Sequence, residues 1–451
     1  MLNESSTVQE LLAEIRAKKE RLIKEKKIKK AKPLPPIDND EQPFEIPNNW
    51  KWVRLGDIAT IITGTTPSKK EPSYYGGNFP FYKPSNIQSN KYLYPADEYL
   101  SELGKAQARF IPKNSIAVNC IGNIGKAAMF PTDGTTNQQI NSICHYLYPE
   151  YLYWVCQSDF FITQLLDFSS ATTISIVNKS KVERTIIPLP PLFEQHRLVA
   201  RIESLFAKLD AAREKVQSVL DSHETRKAAL LHDAFTGKLT AKWREEHGIS
   251  LVNWQTRSLS DCGTWKGGGT PSKAHPDYWE NGEIMWVTSK DMKSDKIQDT
   301  QMHITPLGVE QSSAIYSEKP AVLFVTRSGI LRHTLPVALV NRPFTTNQDL
   351  KSLTPNENID TQYLFFAAKA FSGQILKTCM KNGTTVESIN TKKLMEFLLP
   401  IASMREQKVI AKMLRQLLNK EQRARQAAEE TLTAIDRMKQ AILARAFRGE
   451  L

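Results

Sequence analysis

The 451-residue chain repeats itself, and its second copy stops on the residues that close the first. Ala234-Phe235-Thr236-Gly237-Lys238-Leu239 returns as Ala446-Phe447-Arg448-Gly449-Glu450-Leu451, an offset of 212. The same offset carries Glu194-Gln195 onto Glu406-Gln407, Pro188 onto Pro400 and Asn178 onto Asn390. Thr136-Asn137-Gln138 matches Thr346-Asn347-Gln348 at 210. Near the start of each copy, Trp50 matches Trp254, and Thr66-Pro67-Ser68-Lys69 matches Thr270-Pro271-Ser272-Lys273, both at 204. The drift corresponds to about eight residues inserted in the second copy, an ordinary loop adjustment. Two similar units in one chain imitate a twofold dimer, and such symmetry suits a two-part target.

The repeat predicts six segments. Residues 1–49 form a basic helix followed by a Pro-dotted acidic linker, 50–190 a first globular unit, and 191–236 a first long helix. Residues 237–253 are a linker, 254–400 a second unit, and 401–451 a second long helix. Each unit opens with Trp and short β-rich runs, carries turn residues, and contains a helical pattern near 150–167 or 361–377, so the fold class is α+β. Residues 7–31 read as helix up to the prolines at 33, 35 and 36. In the tails, Leu198, Ile202, Leu205, Leu209, Ala212, Val216 and Val219 alternate steps of four and three, as a coiled-coil seam does. The second tail answers with Ile410, Leu414, Leu417, Glu421, Ala424, Ala428, Thr431, Ile435, Met438 and Ile442. Neither tail has Pro or Gly between its opening and its Gly237 or Gly449 stop, so each is expected as one helix of roughly 40 residues, about 60 Å long. A lone helix of that length leaves its stripe wet. Two quasi-equivalent halves would pair the helices antiparallel across a pseudo-dyad; the alternative packs each on its own unit.

Net charge is +12, unevenly spread. Residues 1–32 carry ten basic side chains against five acidic, while 33–49 carry four acidic and no basic. The second tail (404–448) has eleven basic against five acidic, whereas the first (194–236) balances at seven each. A basic excess favours a polyanion such as nucleic acid, although many basic proteins bind none. No apolar run approaches the roughly 18 residues that cross a bilayer, so no membrane association is expected. Five cysteines, odd in number and without Cys-x-x-Cys spacing, fit reduced thiols in a cytoplasm rather than a disulfide frame or zinc site.

The residues expected of an enzyme are not there in recognisable order. Gly122-Asn123-Ile124-Gly125-Lys126 lacks the glycine spacing and the Ser/Thr of a phosphate loop, and Pro276-Asp277 with Glu283 lacks the lysine of a nuclease carboxylate cluster. No glycine fingerprint for a methyl-donor cofactor appears, and the eight histidines show no metal-ligand spacing. What remains are paired polar loops. Gly64 to Lys70 and Gly267 to Lys273 offer backbone N–H groups, hydroxyls and lysines suited to phosphate, or else tight turns kept for folding. Tyr82-Lys83-Pro84-Ser85-Asn86 aligns at 204 with Trp286-Val287-Thr288-Ser289-Lys290, and the segment from Asn119 to Lys126 corresponds to Thr326 through His333. The candidate nucleic-acid contacts are therefore Lys69, Lys70, Lys83, Asn86, Asn123, Lys126, Lys273, Ser289, Lys290, Arg327 and Arg332. Asn137-Gln138 and Asn347-Gln348 could read adenine, but being common to both copies they serve equally as structural caps. Where the copies differ, as in Cys120 and Lys126 against Arg327 and His333, two unlike half-sites would be accommodated.

Taken together, these residues resemble the specificity subunit of a type I restriction–modification system. The resemblance covers essentially the whole chain. It rests on Gly64-Thr65-Thr66-Pro67-Ser68 and Gly268-Gly269-Thr270-Pro271-Ser272, on Ile187-Pro188-Leu189-Pro190-Pro191-Leu192-Phe193-Glu194-Gln195, and on both Ala-Phe-x-Gly-x-Leu closures. It implies two target-recognition domains on an antiparallel helical spacer, each reading half of a split, asymmetric site in double-stranded DNA. It implies two methyltransferase subunits docked on the helices, with motor-nuclease subunits attached through them. It implies no catalysis by this chain, with S-adenosylmethionine, ATP and Mg on the partners only. The second hinge, Leu399-Pro400-Ile401-Ala402-Ser403-Met404, departs from the Pro-Leu-Pro-Pro spelling, which leaves its geometry open. The competing readings are a self-sufficient methyltransferase or nuclease, a related system with similar recognition domains, and a coiled-coil protein scaffold.

Overall fold

A computed structural model describes residues 7–169, 175–381 and 386–451. The first six residues of the basic N-terminal segment, and residues 170–174 and 382–385 of the two expected globular units, lie outside the described residues. The chain forms two compact units, Met1–Val216 with Glu430–Leu451, and Gln217–Glu429.

Along unit 1 run β1 (Lys51–Arg54), β2 (Ala59–Thr63), β3 (Tyr75–Tyr82), β4 (Glu98–Leu100), β5 (Ile116–Asn119), β6 (Ala127–Met129), β7 (Thr135–Thr136), β8 (Ile140–His145) and β9 (Ile186–Leu189). One sheet has the order β2-β8-β5-β6, a second β4-β3-β7, and β1 pairs with β9. Every residue of β5, β6 and β9 is buried, which is why these runs are continuously apolar or small rather than alternating. Unit 2 contains β10 (Gln255–Ser258), β11 (Gly263–Lys266), β12 (Ile284–Val287), β13 (Lys296–Ile297), β14 (His303–Ile304), β15 (Ala321–Val325), β16 (Val337–Val340), β17 (Phe344–Thr346), β18 (Leu350–Pro355) and β19 (Leu398–Ile401). Its sheets, β11-β18-β15-β16-β13, β14-β12-β17 and β10-β19, repeat the order of unit 1 with one added edge strand. Both units are thus mixed helix and strand.

The hinges are equivalent despite their different spelling. Trp52 pairs with Pro188 in one and Thr256 with Pro400 in the other. The Tyr151 hydroxyl donates to Pro188 O at 2.7 Å, and the Tyr363 hydroxyl to Pro400 O at 2.8 Å. Gln195 Nε2 donates to Pro190 O at 3.0 Å while its Oε1 accepts from Tyr148 N at 3.2 Å. Gln407 does the same between Ala402 O, at 2.9 Å, and Asp360 N, at 2.8 Å. The glutamine and the tyrosine, rather than the neighbouring prolines, hold the geometry common to both hinges.

Each closing Phe packs into the unit other than the one immediately before it in sequence. Phe447 lies edge-on to Tyr151 at 5.8 Å in unit 1, and Phe235 to Tyr363 at 5.3 Å in unit 2. Truncating a buried Phe of this kind costs about 3–5 kcal/mol. Unit 1 adds the N-terminal helix Val8–Lys24, whose Val8, Leu11 and Ile15 join Leu443, Ala446 and Phe447 in one core. This helix opens on a Thr7–Glu10 capping box and stops well short of the prolines, where Lys26 takes the left-handed conformation (φ 57°).

The last helix is continuous over Met404–Phe447, 44 residues, as its sequence predicts. The first tail is not one helix: Leu192–Asp221 is followed by His223–Phe235. At the break the Ser222 hydroxyl bonds back to Ser218 O at 2.6 Å, and Arg226 Nη2 reaches Val219 O at 3.1 Å. Such back-bonding bends helices. Within unit 1 the first helix and the end of the last run antiparallel, Lys439 meeting Asp210 at 2.5 Å and Arg213 meeting Asp436. The expected apolar stripe is only partly realised. Leu198, Ile202, Ile410, Leu414 and Ile435 are buried; Leu205, Leu209 and Leu417 are half-buried; Ala212 and Ala424 are exposed. Leu198 and Ile202 pack into the core of unit 1, and Ile410 and Leu414 into that of unit 2. Glu421, at a seam position, takes Arg226 at 2.8 Å instead of an apolar neighbour.

Candidate nucleic-acid interface

In each unit the polar loops gather at one end of the sheets because of how the strands pair. In unit 1, Thr63 at the end of β2 faces Asn141, and Asn119 at the end of β5 faces Ile140. Tyr82 at the end of β3 lies beside Thr136 at the end of β7, so Asn137 N donates to Tyr82 O at 3.2 Å. The loop from Gly64 to Lys70 is tied to this end by Thr65 N to Thr136 O at 2.8 Å and by Thr66 Oγ1 to Gln138 Oε1 at 2.7 Å. Unit 2 repeats the tie, with Thr270 Oγ1 to Gln348 Oε1 at 2.6 Å. A Cβ on Gly64 would fall 2.1 Å from Asn137 O, and one on Gly268 2.2 Å from Asn347 O, so glycine is required by the close approach of two backbones. Asn137 Oδ1 accepts from Gln139 N at 3.1 Å and Asn347 Oδ1 from Asp349 N at 3.2 Å. Asn137 and Asn347 therefore cap turns, and the shared motifs build the platform.

The candidate residues divide on this platform. Lys70, Asn123, Lys126, Lys273, Lys290 and Arg327 are exposed, and Ser289 is half-buried. Arg332 is exposed but its Nε sits 2.9 Å from Glu387 Oε1. Asn86 is 3% exposed, its Oδ1 accepting from Lys83 N at 2.8 Å and its Nδ2 donating to Pro95 O at 2.9 Å. That side chain is consumed in closing its own loop and is not offered to a base. Asp291 does the same work in unit 2, accepting from Thr288 N at 2.8 Å. The two loops therefore match at 205 rather than 204, and Lys83 corresponds to Thr288. Cys120 is buried and its thiol pushed up to about 11 by desolvation, so it belongs to the core rather than to the tip.

Sequence reasoning missed Glu98. Its Oε1 lies 2.6 Å from Lys83 Nζ and 3.3 Å from Lys69 Nζ. The hydrogen bond from Lys83, together with Lys69, holds its carboxyl below the usual range against the opposing cost of burial. No spacing rule links residues 69, 83 and 98; the pairing of Phe81 with Glu98 does. Among the described residues no group of three or more His, Cys, Asp or Glu is placed to hold a metal. Among them, too, no helix is long and apolar enough to cross a membrane.

Residues 47–220 and 251–430 match the family model described as the type I restriction modification DNA specificity domain. The chain belongs to that family. Over 208 residues it is 34% identical to the Escherichia coli type I restriction enzyme EcoR124I/EcoR124II specificity subunit, covering 45% of this chain and 51% of that protein. The chain thus spans about half the length of that curated relative. A chain in a solved structure describing complex assembly and conformational transition of the type I R-M system superposes with a TM-score of 0.71 at 23% identity, covering 91% of this chain and all of that one. The crystal structure of the HsdS subunit from Thermoanaerobacter tengcongensis gives a TM-score of 0.62 at 22% identity, with the same coverage of 91% of this chain. At these identities the likeness establishes the fold of a specificity-domain protein.

Proposed function

We propose that this chain is the DNA-recognition subunit of a type I restriction–modification complex and carries no catalytic step of its own. Residues 50–190 and 254–400 act as target-recognition domains, each reading one half of a bipartite, asymmetric site in double-stranded DNA. The helices of 191–236 and 401–451 form an antiparallel coiled-coil spacer with pseudo-twofold symmetry, joined by the linker 237–253. That spacer docks two methyltransferase subunits, and motor-nuclease subunits join through them. S-adenosylmethionine, ATP and Mg are held by those partners, and the complex works in the cytoplasm. The observation that carries this reading is one platform, built twice from the same ties, that presents unlike side chains. Lys69 and Lys273 sit on the tied loops and suit phosphate. Arg327, exposed and without an ion pair among the described residues, suits a guanine edge.

The test is methylation-sensitive sequencing of a genome that carries this chain with its operon. The expected result is one split motif, methylated in both halves around a fixed unread spacer, and lost when this chain alone is deleted. Methylation that persists without the chain, or a single undivided motif, would reject the reading.

A further inference from the structure

The two platforms differ in charge where their backbones agree. Loop and strand register place Lys69 with Lys273, Lys83 with Thr288, and Glu98 with Met302: Phe81 pairs with Glu98, and Trp286 N, at the matching position, donates to Met302 O at 3.1 Å. In unit 1 one carboxylate oxygen therefore bridges two ammonium groups. In unit 2 a thioether and a hydroxyl stand in their places, and no carboxylate among the described residues pairs with Lys273.

The two bridged lysines are not held alike. Lys83 is 28% exposed, sits at the shorter distance of 2.6 Å, and lies 5.8 Å from the Phe81 ring centroid. Lys69 is 66% exposed and sits at 3.3 Å. An exposed pair of that kind is worth at most about 1 kcal/mol, so it competes with phosphate for Lys69 only in part. The other oxygen of Glu98 is buried with no hydrogen-bond partner, so the carboxylate's hydrogen bonds run through Oε1 alone, from Lys83 and Lys69.

We propose that Glu98 is a specificity-determining residue of the first half-site, a reading that rests on the DNA-recognition function above. It fixes the direction of the Lys83 ammonium as a donor to a base edge, and it withholds part of the Lys69 charge from phosphate. Glu98 itself touches no base and acts as a positioning residue. Unit 1 then gains less from sequence-independent backbone contact than unit 2, where Lys273 meets phosphate at full charge. Phosphate contact contributes equally on every sequence, whereas an oriented lysine at a purine O6/N7 edge does not.

The full chain carrying Glu98→Gln is titrated against the duplex recovered from a randomised pool, against duplexes changed in either half-site, and across a series of salt concentrations. Glu98→Gln should bind a scrambled duplex several-fold more tightly and steepen the salt dependence by about one unit. It should lose about tenfold discrimination at the first half-site and none at the second. Lys69→Ala and Lys273→Ala form an independent arm that leaves Glu98 in place. Lys273→Ala should flatten the salt slope by about one unit, and Lys69→Ala by clearly less. Equal losses for the two lysines, or a Glu98→Gln chain that folds and keeps both slope and discrimination, would overturn the role of Glu98. A wild-type chain that fails to prefer the selected duplex over the scrambled one would instead reject the DNA-recognition reading.

Discussion

At the end of β8, His145 lies 3.0 Å through Nε2 from Asn114 O and accepts from Leu147 N at Nδ1, at 3.3 Å. With Nδ1 accepting, Nε2 carries the proton, so this ring is built to be neutral. Desolvation pushes its pKa from an ordinary 6.5 down to about 4, the two backbone hydrogen bonds only partly opposing it. A group depressed on folding binds more protons in the unfolded chain, so stability rises with pH across the gap. Its contribution is whole above pH 6.5 and drains away as the pH falls towards 4. Thermal melts of the full chain should therefore lose stability over that window, and His145→Gln, which never charges, should show a shallower loss. Identical slopes would mean that the ring charges freely in the folded protein. Nothing in the sequence marks His145, because its environment comes from Asn114, far along the chain in the turn before β5. The same holds for the platform residues. Lys69, Lys70, Lys126, Lys273, Lys290 and Arg327 are legible as exposed basic tips, whereas Lys83 is half-buried. Asn86 misleads because a small polar side chain closes a turn as readily as it meets a base, and Glu98 is invisible because strand pairing alone brings it to Lys83.

The helices are the elements whose sequence is clearest, and even there tertiary packing redirects the pattern. A step of four and three predicts an apolar seam, and the repeat predicts two copies. Of the buried members, Leu198, Ile202, Ile410 and Leu414 are spent on the cores beside them, while Glu421 with Arg226 occupies a place read as part of the stripe. The break at Ser222 was hidden because serine is tolerated inside helices and only its bond to Ser218 O bends this one. If these helices set the distance between half-sites, their length is the adjustable quantity. Four residues inserted near Val216 add about one turn, or about 6 Å. At about 3.4 Å per base pair, the unread spacer should grow by one or two base pairs, with both half-sites unchanged. Methylation-sensitive sequencing of the insertion mutant gives the answer, and an unchanged spacer at full activity would show that the helices are not the ruler.

At the scale of the molecule, the proposed function makes the two units exchangeable, and the structure says where to cut. Trp254 precedes β10, and its Nε1 donates to Glu406 Oε2 at 2.8 Å, while Glu406 Oε1 takes Thr240 at 2.7 Å and Arg244 at 2.8 Å. Arg244 and Glu406 are both buried, and removing one partner of such a pair costs about 3–5 kcal/mol. Gln407 reaches Asp360 N as described above, so an incoming unit must bring its own acceptor and donor for that glutamine. Exchange between Gln255 and Ile401, the paired ends of β10 and β19, preserves the buried ion pair and leaves both closing phenylalanines in place. A chain carrying a relative's segment there should keep the first half of its methylated site and take the second half of the relative's. The sequence already shows that the two copies are separate, since each carries its own Trp, TPSK loop and TNQ turn. It does not show that the tail of each copy completes the other unit, a closure visible only once Phe235 is found on Tyr363 and Phe447 on Tyr151. That closure makes a sharper demand on the exchange: a donor segment lacking a tyrosine at the position of Tyr363 should lower the melting temperature without changing which half-site it reads. If both halves of the methylated site changed together, specificity would belong to the assembled chain and not to its two platforms.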